Sequence, residues 1–354
     1  MPLIDSGESL VNTELTQQFK EYFSLTANGL IRDHNDRNWM VWSITEIERW
    51  WGVFETNLAV PFGRKLFNSC CDEEEYQINH DEIIKSGWFK KSGNKSRIVS
   101  RWDLFGWGRI DLELHKMSTL LPTSFAAGFA VASIESFNDA RFKSEWKQIN
   151  QTEIMLELTP DINILPIAKK HSQLPWLSRN QYLVNLPIDF ELESRELGWS
   201  VDGEPMIILP VSLFSRLFYS TLGNTSSLGP EILNSWSIEG IEQRFAEALI
   251  LASYSSYQLF MKSDRHVFAE SVESWINIIN HFCKQWGWGN STEIMLDNNS
   301  NAVKINFETS EVLPFFIGQI MGIWERSHGK KPKISLDFNG ANVMISIESL
   351  LEYI

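Results

Sequence analysis

An internal repeat constrains the fold of this chain more than any other feature of its sequence. Four blocks occur twice in the same order: Phe19 and Phe23 with Phe214 and Phe218, Trp-Ser-Ile at 42–48 and 236–242, Gly-Trp-Gly at 106–108 and 287–289, and Gly-x3-small-x2-Glu at 128–135 and 318–325. The spacing between blocks changes only by loop-sized amounts. This pattern predicts a duplicated domain whose two copies pack on each other.

The predicted fold class is α+β, with two tandem copies of an α/β domain. Each copy has N-terminal helices, an antiparallel sheet and a helix with the Gly-x3-small block, and the copies form an intramolecular pseudo-dimer. The predicted boundaries are 11–160 for the first copy and 206–354 for the second, with a connector at 161–205. Residues 160–205 hold five of the twelve prolines, which favours a semi-rigid connector. Its apolar runs at 162–165 and 182–184 predict added strands or a path along a domain surface.

Apolar residues at helical spacing predict helices over 11–27 and 211–222. The Trp-Ser-Ile block predicts the start of a second helix in each copy, with Ser43 or Ser237 as the N-cap. The acidic run at 70–75 falls where the first copy is longer than the second, and it predicts a solvated loop.

Alternating residues predict a hairpin in each copy before the Gly-x3-small helix, shortened in the first copy and full in the second. A Leu-Pro pair introduces that helix in each copy, at 121–122 and 313–314. Asn339-Gly340 lies between two alternating runs, which predicts a closing hairpin.

The composition limits the partners that the protein can have. Its formal net charge is -14, from 45 acidic and 31 basic residues. A nucleic acid or an anionic membrane needs a basic surface, so neither is an expected partner. An export signal and an apolar run of the ~20 residues that span a bilayer are both lacking, so we expect a cytoplasmic protein without membrane insertion. Three cysteines, two of them adjacent, fit a reducing compartment.

The chain is rich in large aromatic rings, with 15 Trp and 22 Phe. Such rings either build thick aromatic cores or line an apolar cavity, because both uses bury ring area. The core interpretation is the more common one, and the cavity interpretation stays open.

The residues that could carry chemistry are few. Two small residues one turn apart, Gly128 with Ala132 and Gly318 with Gly322, permit close approach of a backbone or a flat ligand. Glu135 and Glu325 end the same helices, and we expect them to be exposed carboxylates.

Neither a metal site nor a catalytic residue is predicted. The nearest approach to a metal site is a group whose spacing fits no zinc template: Cys70, Cys71, His80, Asp81 and Glu82. His281 and Cys283 face different sides of a helix, and the remaining histidines stand alone.

The second copy resembles the 4-vinyl reductase family. The resemblance lies in the Trp-Gly-Trp-Gly run at 286–289, the helix at 313–325, the basic turn at 328–331 and the closing Asn-Gly hairpin. It implies a commonly dimeric α/β domain, similar in fold to heme-based nitric-oxide sensors and vesicle-tethering subunits. It also implies an apolar pocket for a small hydrophobic molecule or a tetrapyrrole precursor. Many members have cysteines at the last hairpin, where a metal or redox ligand could bind. This chain has none there, so a metal is not expected at that place, and its cofactor is unknown.

Three functions follow as hypotheses. The first is a non-enzymatic ligand-binding or sensory protein whose apolar pocket is lined by Trp107, Trp288, Phe315, Phe316, Gly318, Gly322 and Trp324. The second is an adaptor or assembly factor that binds a protein partner and whose pockets are filled by aromatic side chains. The third is a tetrapyrrole-related reductase, which rests on the family resemblance alone.

Overall fold

Helices and strands alternate in blocks along the chain and give an α+β fold. The computed structural model describes residues 11–85, 87, 90–162, 166–177, 184–224, 226–297 and 301–351. The helices are α1 (Thr13–Tyr22), α2 (Ile44–Leu58), α3 (Gly63–His80), α4 (Lys91–Phe105), α5 (Thr123–Asn138), α6 (Ser212–Thr221), α7 (Pro230–Leu233), α8 (Gln243–Lys262), α9 (Val272–Phe282) and α10 (Leu313–His328). The first eight strands are β1 (Phe23–Thr26), β2 (Ile31–Asp33), β3 (Asn38–Ser43), β4 (Arg109–Asp111), β5 (Lys116–Ser118), β6 (Phe142–Gln148), β7 (Glu153–Pro160) and β8 (Asn185–Leu186). The remaining strands are β9 (Glu193–Ser194), β10 (Trp199–Val201), β11 (Glu204–Pro210), β12 (Trp236–Glu239), β13 (Ser291–Asp297), β14 (Ala302–Glu308), β15 (Pro332–Asn339) and β16 (Asn342–Ser349).

A seven-stranded sheet joins strands from residues 23–43 to strands from residues 185–210, in the order β8-β1-β2-β3-β11-β10-β9. Its two middle strands, β3 and β11, are antiparallel, and Val41 lies opposite Ile208. Both strands are nearly continuous apolar runs, and most of their residues are buried. Such runs are typical of strands that are covered on both faces.

Two smaller sheets lie one in each half of the chain. The first has the order β4-β5-β7-β6, and the second has the order β12-β15-β16-β14-β13. In each half, a hairpin precedes the Gly-x3-small helix and another hairpin follows it. The hairpin before the helix is shorter in the first half, as predicted, with strands of three residues against seven.

The Gly-x3-small helices pack closely on a second helix. A Cβ atom built on Gly128 in α5 would lie 2.5 Å from the carbonyl oxygen of Phe67 in α3. A Cβ atom built on Gly318 in α10 would lie 2.6 Å from the carbonyl oxygen of Ser253 in α8. These separations are too short for any side chain, so glycine permits the helix contact at both places.

Helices α2 and α6 each cross to the other half. Trp50 of α2 donates a buried hydrogen bond to Ser256 of α8, with 3.1 Å between Nε1 and Oγ. In the opposite direction, Arg216 of α6 donates to Glu73 of α3 at 2.7 Å. Each half is therefore covered by a helix of its neighbour.

Several local predictions are confirmed. Ser43 is the N-cap of α2, and its side chain accepts a hydrogen bond from the backbone N–H of Glu46. Asn339 and Gly340 turn the chain between β15 and β16. The connector adds strands β8 to β10 to the central sheet, although the apolar runs at 162–165 and 182–184 lie largely outside the described residues.

The predicted acidic loop at 70–75 is wrong, because these residues belong to helix α3 and Glu73, Glu74 and Glu75 are buried. Each of the three buried carboxylates pairs with an arginine from another part of the chain. Glu73 pairs with Arg216, Glu74 with Arg101 and Glu75 with Arg141. Burial of a carboxylate is tolerated when a charge partner and hydrogen bonds replace water.

Two predicted helices also differ from the structure. Residues 236–239 form strand β12, which pairs in parallel with β15, so Ser237 is not an N-cap and α8 begins after Glu242. The helix predicted over 11–27 ends at Tyr22, because Phe23 begins strand β1. Two of the four repeated blocks therefore fall on unlike elements, whereas Gly-Trp-Gly and Gly-x3-small-x2-Glu fall on like ones.

Within the described ranges, each helix is either too short or too polar to cross a lipid bilayer.

We predict that Gly318→Ala lowers the free energy of unfolding by about 1–3 kcal/mol, because the new methyl group overlaps the backbone of α8. Gly52→Ala is the matched control, since Gly52 lies within helix α2 with no atom within 4 Å of an added Cβ. The control should be neutral or raise stability by up to ~1 kcal/mol. Urea denaturation of both variants checks this prediction, and equal effects would contradict the packing assignment.

Candidate functional site

The aromatic residues predicted to line a pocket are buried, and they lie in separate clusters. Trp288 and Phe315 belong to a central aromatic cluster, which comprises Trp42, Trp50, Phe54, Phe214, Phe218, Trp288 and Phe315. The rings of Trp42 and Trp288 are 4.8 Å apart, and those of Phe214 and Phe315 are 4.9 Å apart. These separations are those of rings in direct contact.

The other predicted site residues pack elsewhere. Trp107 stacks on Phe129 at 3.9 Å in the first half. Phe316 packs on Phe307, and Trp324 donates a hydrogen bond to the carbonyl of Asn301 at 2.9 Å. Gly318 and Gly322 face helix α8. The four cavities described for this structure are lined by other residues, so a ligand role for the predicted set stays a prediction.

Glu135 and Glu325 were expected to be exposed, but both are engaged in ion pairs. Glu135 is buried and binds Arg141 at 2.7 Å. Glu325 is largely covered, binds Lys331 at 2.7 Å and accepts a hydrogen bond from the Tyr257 hydroxyl. In each half the acid at the end of the Gly-x3-small helix thus pairs with a cation at the start of the next hairpin, which indicates a structural role.

A segment of the connector, residues 166–177, lies against helices α3 and α6, and we call it the strap. Its Ala168 N–H donates to Glu75 at 3.1 Å, and its Lys169 carbonyl accepts from Arg216 at 2.6 Å. Leu174 and Trp176 anchor its far end in the core. The strap lines two polar clefts, one on each side.

The first cleft has a volume of about 350 Å³, and we call it the junction cleft. It is lined by the β2–β3 region, the end of α3, the strap and the segment before α10. His171 of the strap faces Glu311, with 3.2 Å between Nε2 and Oε1. Asn38 donates to the other oxygen of Glu311 at 3.1 Å.

The charge state of His171 follows from its two neighbours. Nε2 faces the Glu311 carboxylate, and Nδ1 lies 3.1 Å from the carbonyl oxygen of Ser172. Burial alone would lower the pKa of His171, but the hydrogen bond to Glu311 and the charge of that carboxylate outweigh burial and raise it. Because both nitrogens face acceptors, the protonated ring can donate from both, and in that state it has no free lone pair to act as a base.

Ser310 lines the same cleft and is buried. Its hydroxyl makes no hydrogen bond with any residue that the structure describes. A serine needs an adjacent base to become a nucleophile, and Ser310 lacks one among these residues. The junction cleft can therefore hold a polar molecule, and among the described residues Ser310 has no adjacent base to activate it.

The second cleft lies on the other side of the strap and has a volume of about 990 Å³. It is lined in part by Cys71, Glu75, Glu135 and Arg141. Burial raises the pKa of Cys71 well above its ordinary value, and the nearby Glu135 charge adds to the effect. The thiol is thus protonated at neutral pH and is a poor nucleophile.

A third cavity, which we call the open groove, lies between α2 and α8 and has a volume of about 380 Å³. Leu259 and Val53 supply its apolar surface, and Arg49 and Lys262 supply positive charge. No part of the strap lines it.

No group of three metal-ligating side chains suited to an ion occurs among the described residues. Cys70 and Cys71 lie in the middle of α3, and His80 lies at its end. Burial raises the pKa of Cys283 to about 12, so this cysteine is a protonated core residue.

The sequence reasoning missed the strap and all four cavities. A signal was present, because the connector carries Lys169, Lys170 and His171, and the run at 72–75 is acidic. Opposite charges in two distant segments are a weak indication of contact, but they agree with the observed placement.

Comparison with known proteins does not identify a family or a function for this chain. No protein-family model, no curated protein and no solved structure matches this chain.

We predict that the contribution of His171 to stability depends on pH. Its folded pKa is raised, so the contribution is fully present below the unfolded value of about 6.5 and is lost as pH rises through the folded value. His171→Gln, which is neutral at every pH, should destabilise the protein by about 1–2 kcal/mol at pH 6 and by less at pH 9. Denaturant titrations of both proteins at the two pH values measure this difference, and a difference that does not change with pH contradicts the assigned charge state.

Proposed function

We propose that this protein is a non-enzymatic adaptor or assembly factor, built as a duplicated domain whose copies form a pseudo-dimer within one chain. In this proposal it is a divergent relative of the 4-vinyl reductase class in which the family's apolar pocket is filled by side chains. It acts in the cytoplasm by presenting a surface to a protein partner.

Matched contacts in the two halves support the duplication. Trp107 donates to the carbonyl of Ile208 at 3.0 Å, and Trp288 donates to the carbonyl of Val41 at 2.9 Å. The two acceptors lie opposite each other in the central sheet. Further pairs of like contacts are Gly128 on Phe67 and Gly318 on Ser253, and Glu135 with Arg141 and Glu325 with Lys331.

The packing of the central aromatic cluster is the observation that most supports an adaptor function. Trp42, Trp288 and Phe315 contact one another in the core, where a family-type pocket would need open space. Close-packed rings leave little room for a tetrapyrrole, and opening such a core costs several kcal/mol. A surface role therefore needs less change in the structure than an interior ligand does.

A second candidate function is binding of a small polar molecule in the junction cleft. The buried hydroxyl of Ser310 favours it, because a buried polar group without a partner is stabilised by a ligand or an ordered water. Ser310→Ala should abolish binding of a small polar molecule in the junction cleft. Unchanged binding in this variant would show that Ser310 does not hold the molecule.

We expect the purified protein to hold no apolar ligand. Native mass spectrometry should give the mass of the polypeptide alone, and titration with protoporphyrin or benzene should produce no saturable change in tryptophan fluorescence. Phe315→Ala is the positive control, because the cavity that it creates should bind benzene.

A retained tetrapyrrole, or saturable binding to the unaltered protein, would falsify the filled-pocket interpretation. An adaptor should also be recovered from its own cells with a partner in a fixed ratio. A protein that is always monomeric and free of partners contradicts the adaptor role.

A further inference from the structure

The strap shows how one face of the molecule holds an extended peptide. Three main-chain groups of the strap are bound: the Pro166 carbonyl by Arg141, the Ala168 N–H by Glu75 of α3, and the Lys169 carbonyl by Arg216 of α6. Because these bonds go to the backbone, they hold an extended segment without depending on its side chains. The surface formed by α3 and α6 is therefore a peptide-binding groove that is already filled.

The charges of this filled groove match its occupant. Helix α3 presents Asp72, Glu73 and Glu75 in a single acidic run. The strap brings the basic run at 169–171 to that surface, and His171 and Lys170 line the junction cleft beside Glu73. Glu73 and Glu75 are each paired with an arginine as well, so the attraction between the acidic run and the basic segment is a partial electrostatic complementarity.

The open groove between α2 and α8 stands at the corresponding place in the other half. Helices α2 and α6 follow the paired central strands β3 and β11, and α8 and α3 pack on the matching glycines. Val41 and Ile208 lie opposite each other in the central pairing. Arg49 follows Val41 by the same number of residues as Arg216 follows Ile208, so the two arginines are equivalent. Ser256 of α8 and Cys70 of α3 are equivalent, because each contacts the first glycine of a Gly-x3-small helix. Gln258 and Leu259 follow Ser256 at the same spacing as Asp72 and Glu73 follow Cys70. Arg49, Gln258 and Leu259 all line the open groove.

The open groove presents exposed positive charge where its counterpart carries the acidic run of α3. The side chains of Arg49 and Lys262 are exposed, and neither makes an ion pair or a hydrogen bond with a described residue. Leu259 is buried and Val53 is half-buried, so they give the groove an apolar floor. The acid of the groove, Glu46, is neutralised by Arg265 at 2.5 Å. Two unpaired cations over an apolar floor suit an acidic occupant.

We propose that the open groove binds an extended acidic segment of a partner protein, as its counterpart binds the strap. This inference rests on the proposed duplication, and it names the partner chemistry of the proposed adaptor. Arg49 binds the backbone carbonyls of the segment, as Arg216 does for the strap, and Lys262 pairs with its carboxylates.

Two synthetic peptides test the proposal on the full-length chain. One has the strap sequence from 166 to 173, and the other carries Lys169→Glu, Lys170→Glu and His171→Glu in that sequence. Methyl NMR of Val53 and Leu259 reports binding even when it is weak. The acidic peptide should shift both signals and the basic peptide should shift neither, and added salt should weaken the effect.

A charge-reversed variant locates the binding site. Arg49→Glu combined with Lys262→Glu should weaken binding of the acidic peptide by at least about tenfold. Arg244→Glu is the matched control, because Arg244 is an exposed arginine of α8 that does not line the groove, and it should bind as the unaltered protein does. Both changes lie on the surface, and an unchanged melting temperature confirms folding.

The proposal is overturned if the acidic peptide moves neither signal at millimolar concentration, if both peptides act equally, or if the charge-reversed variant binds as well as the control. Such a failure is separate from failure of the adaptor role. A retained apolar ligand would contradict the adaptor role and leave the groove result unaffected, whereas an unresponsive groove in a ligand-free protein would contradict only this inference.

Discussion

Strands β3 and β11 meet in the middle of the seven-stranded sheet, and each receives an indole hydrogen bond from the other half of the chain. Trp107 donates to Ile208 and Trp288 donates to Val41. A buried carbonyl that loses such a donor costs about 1–3 kcal/mol. The first glycine of each Gly-Trp-Gly block packs on one of these two strands. A Cβ built on Gly106 would meet the carbonyl oxygen of Met206 in β11, and a Cβ built on Gly287 would meet that of Trp39 in β3. The two halves are therefore fixed in one arrangement at this point.

The crossing of α2 and α6 follows from this central pairing. Each helix leaves a middle strand and packs on the long helix of the other half, α8 or α3. Separation of the halves would expose the central aromatic cluster and leave Glu73 without its arginine. A molecule built in this way holds its surface grooves in fixed positions. The connector fills one groove and leaves the corresponding one open.

Sequence patterns predicted the features that depend on neighbouring residues. The N-cap at Ser43 and the hairpin at Asn339 and Gly340 follow from local capping and turn chemistry. The length difference between the first hairpins follows from the alternating runs in the two copies. Distant partners determined what the patterns missed. The acidic run of α3 reads as a loop until Arg101, Arg141 and Arg216 arrive from other elements to neutralise it.

The candidate site was also only partly predictable, because its shape depends on residues that are distant in the sequence. Composition correctly indicated that tryptophan and phenylalanine dominate the interior, and Trp288 and Phe315 do come together. Whether rings fill a space or surround it depends on the packing of four elements at once, and periodicity carries no information on that. The clefts depend on where the strap lies, which no local signal sets. In β12, pairing with β15 also overrides the helical pattern of its sequence.

Native-state hydrogen exchange of the full-length protein tests the central claim most directly. If the two halves form one structure around the pairing of β3 and β11, the amides of both strands exchange only through global unfolding, with the same free energy and the same dependence on denaturant. If the amides of one strand exchange through a partial unfolding that leaves the other protected, the halves are independent, and the account of a single intertwined fold is wrong.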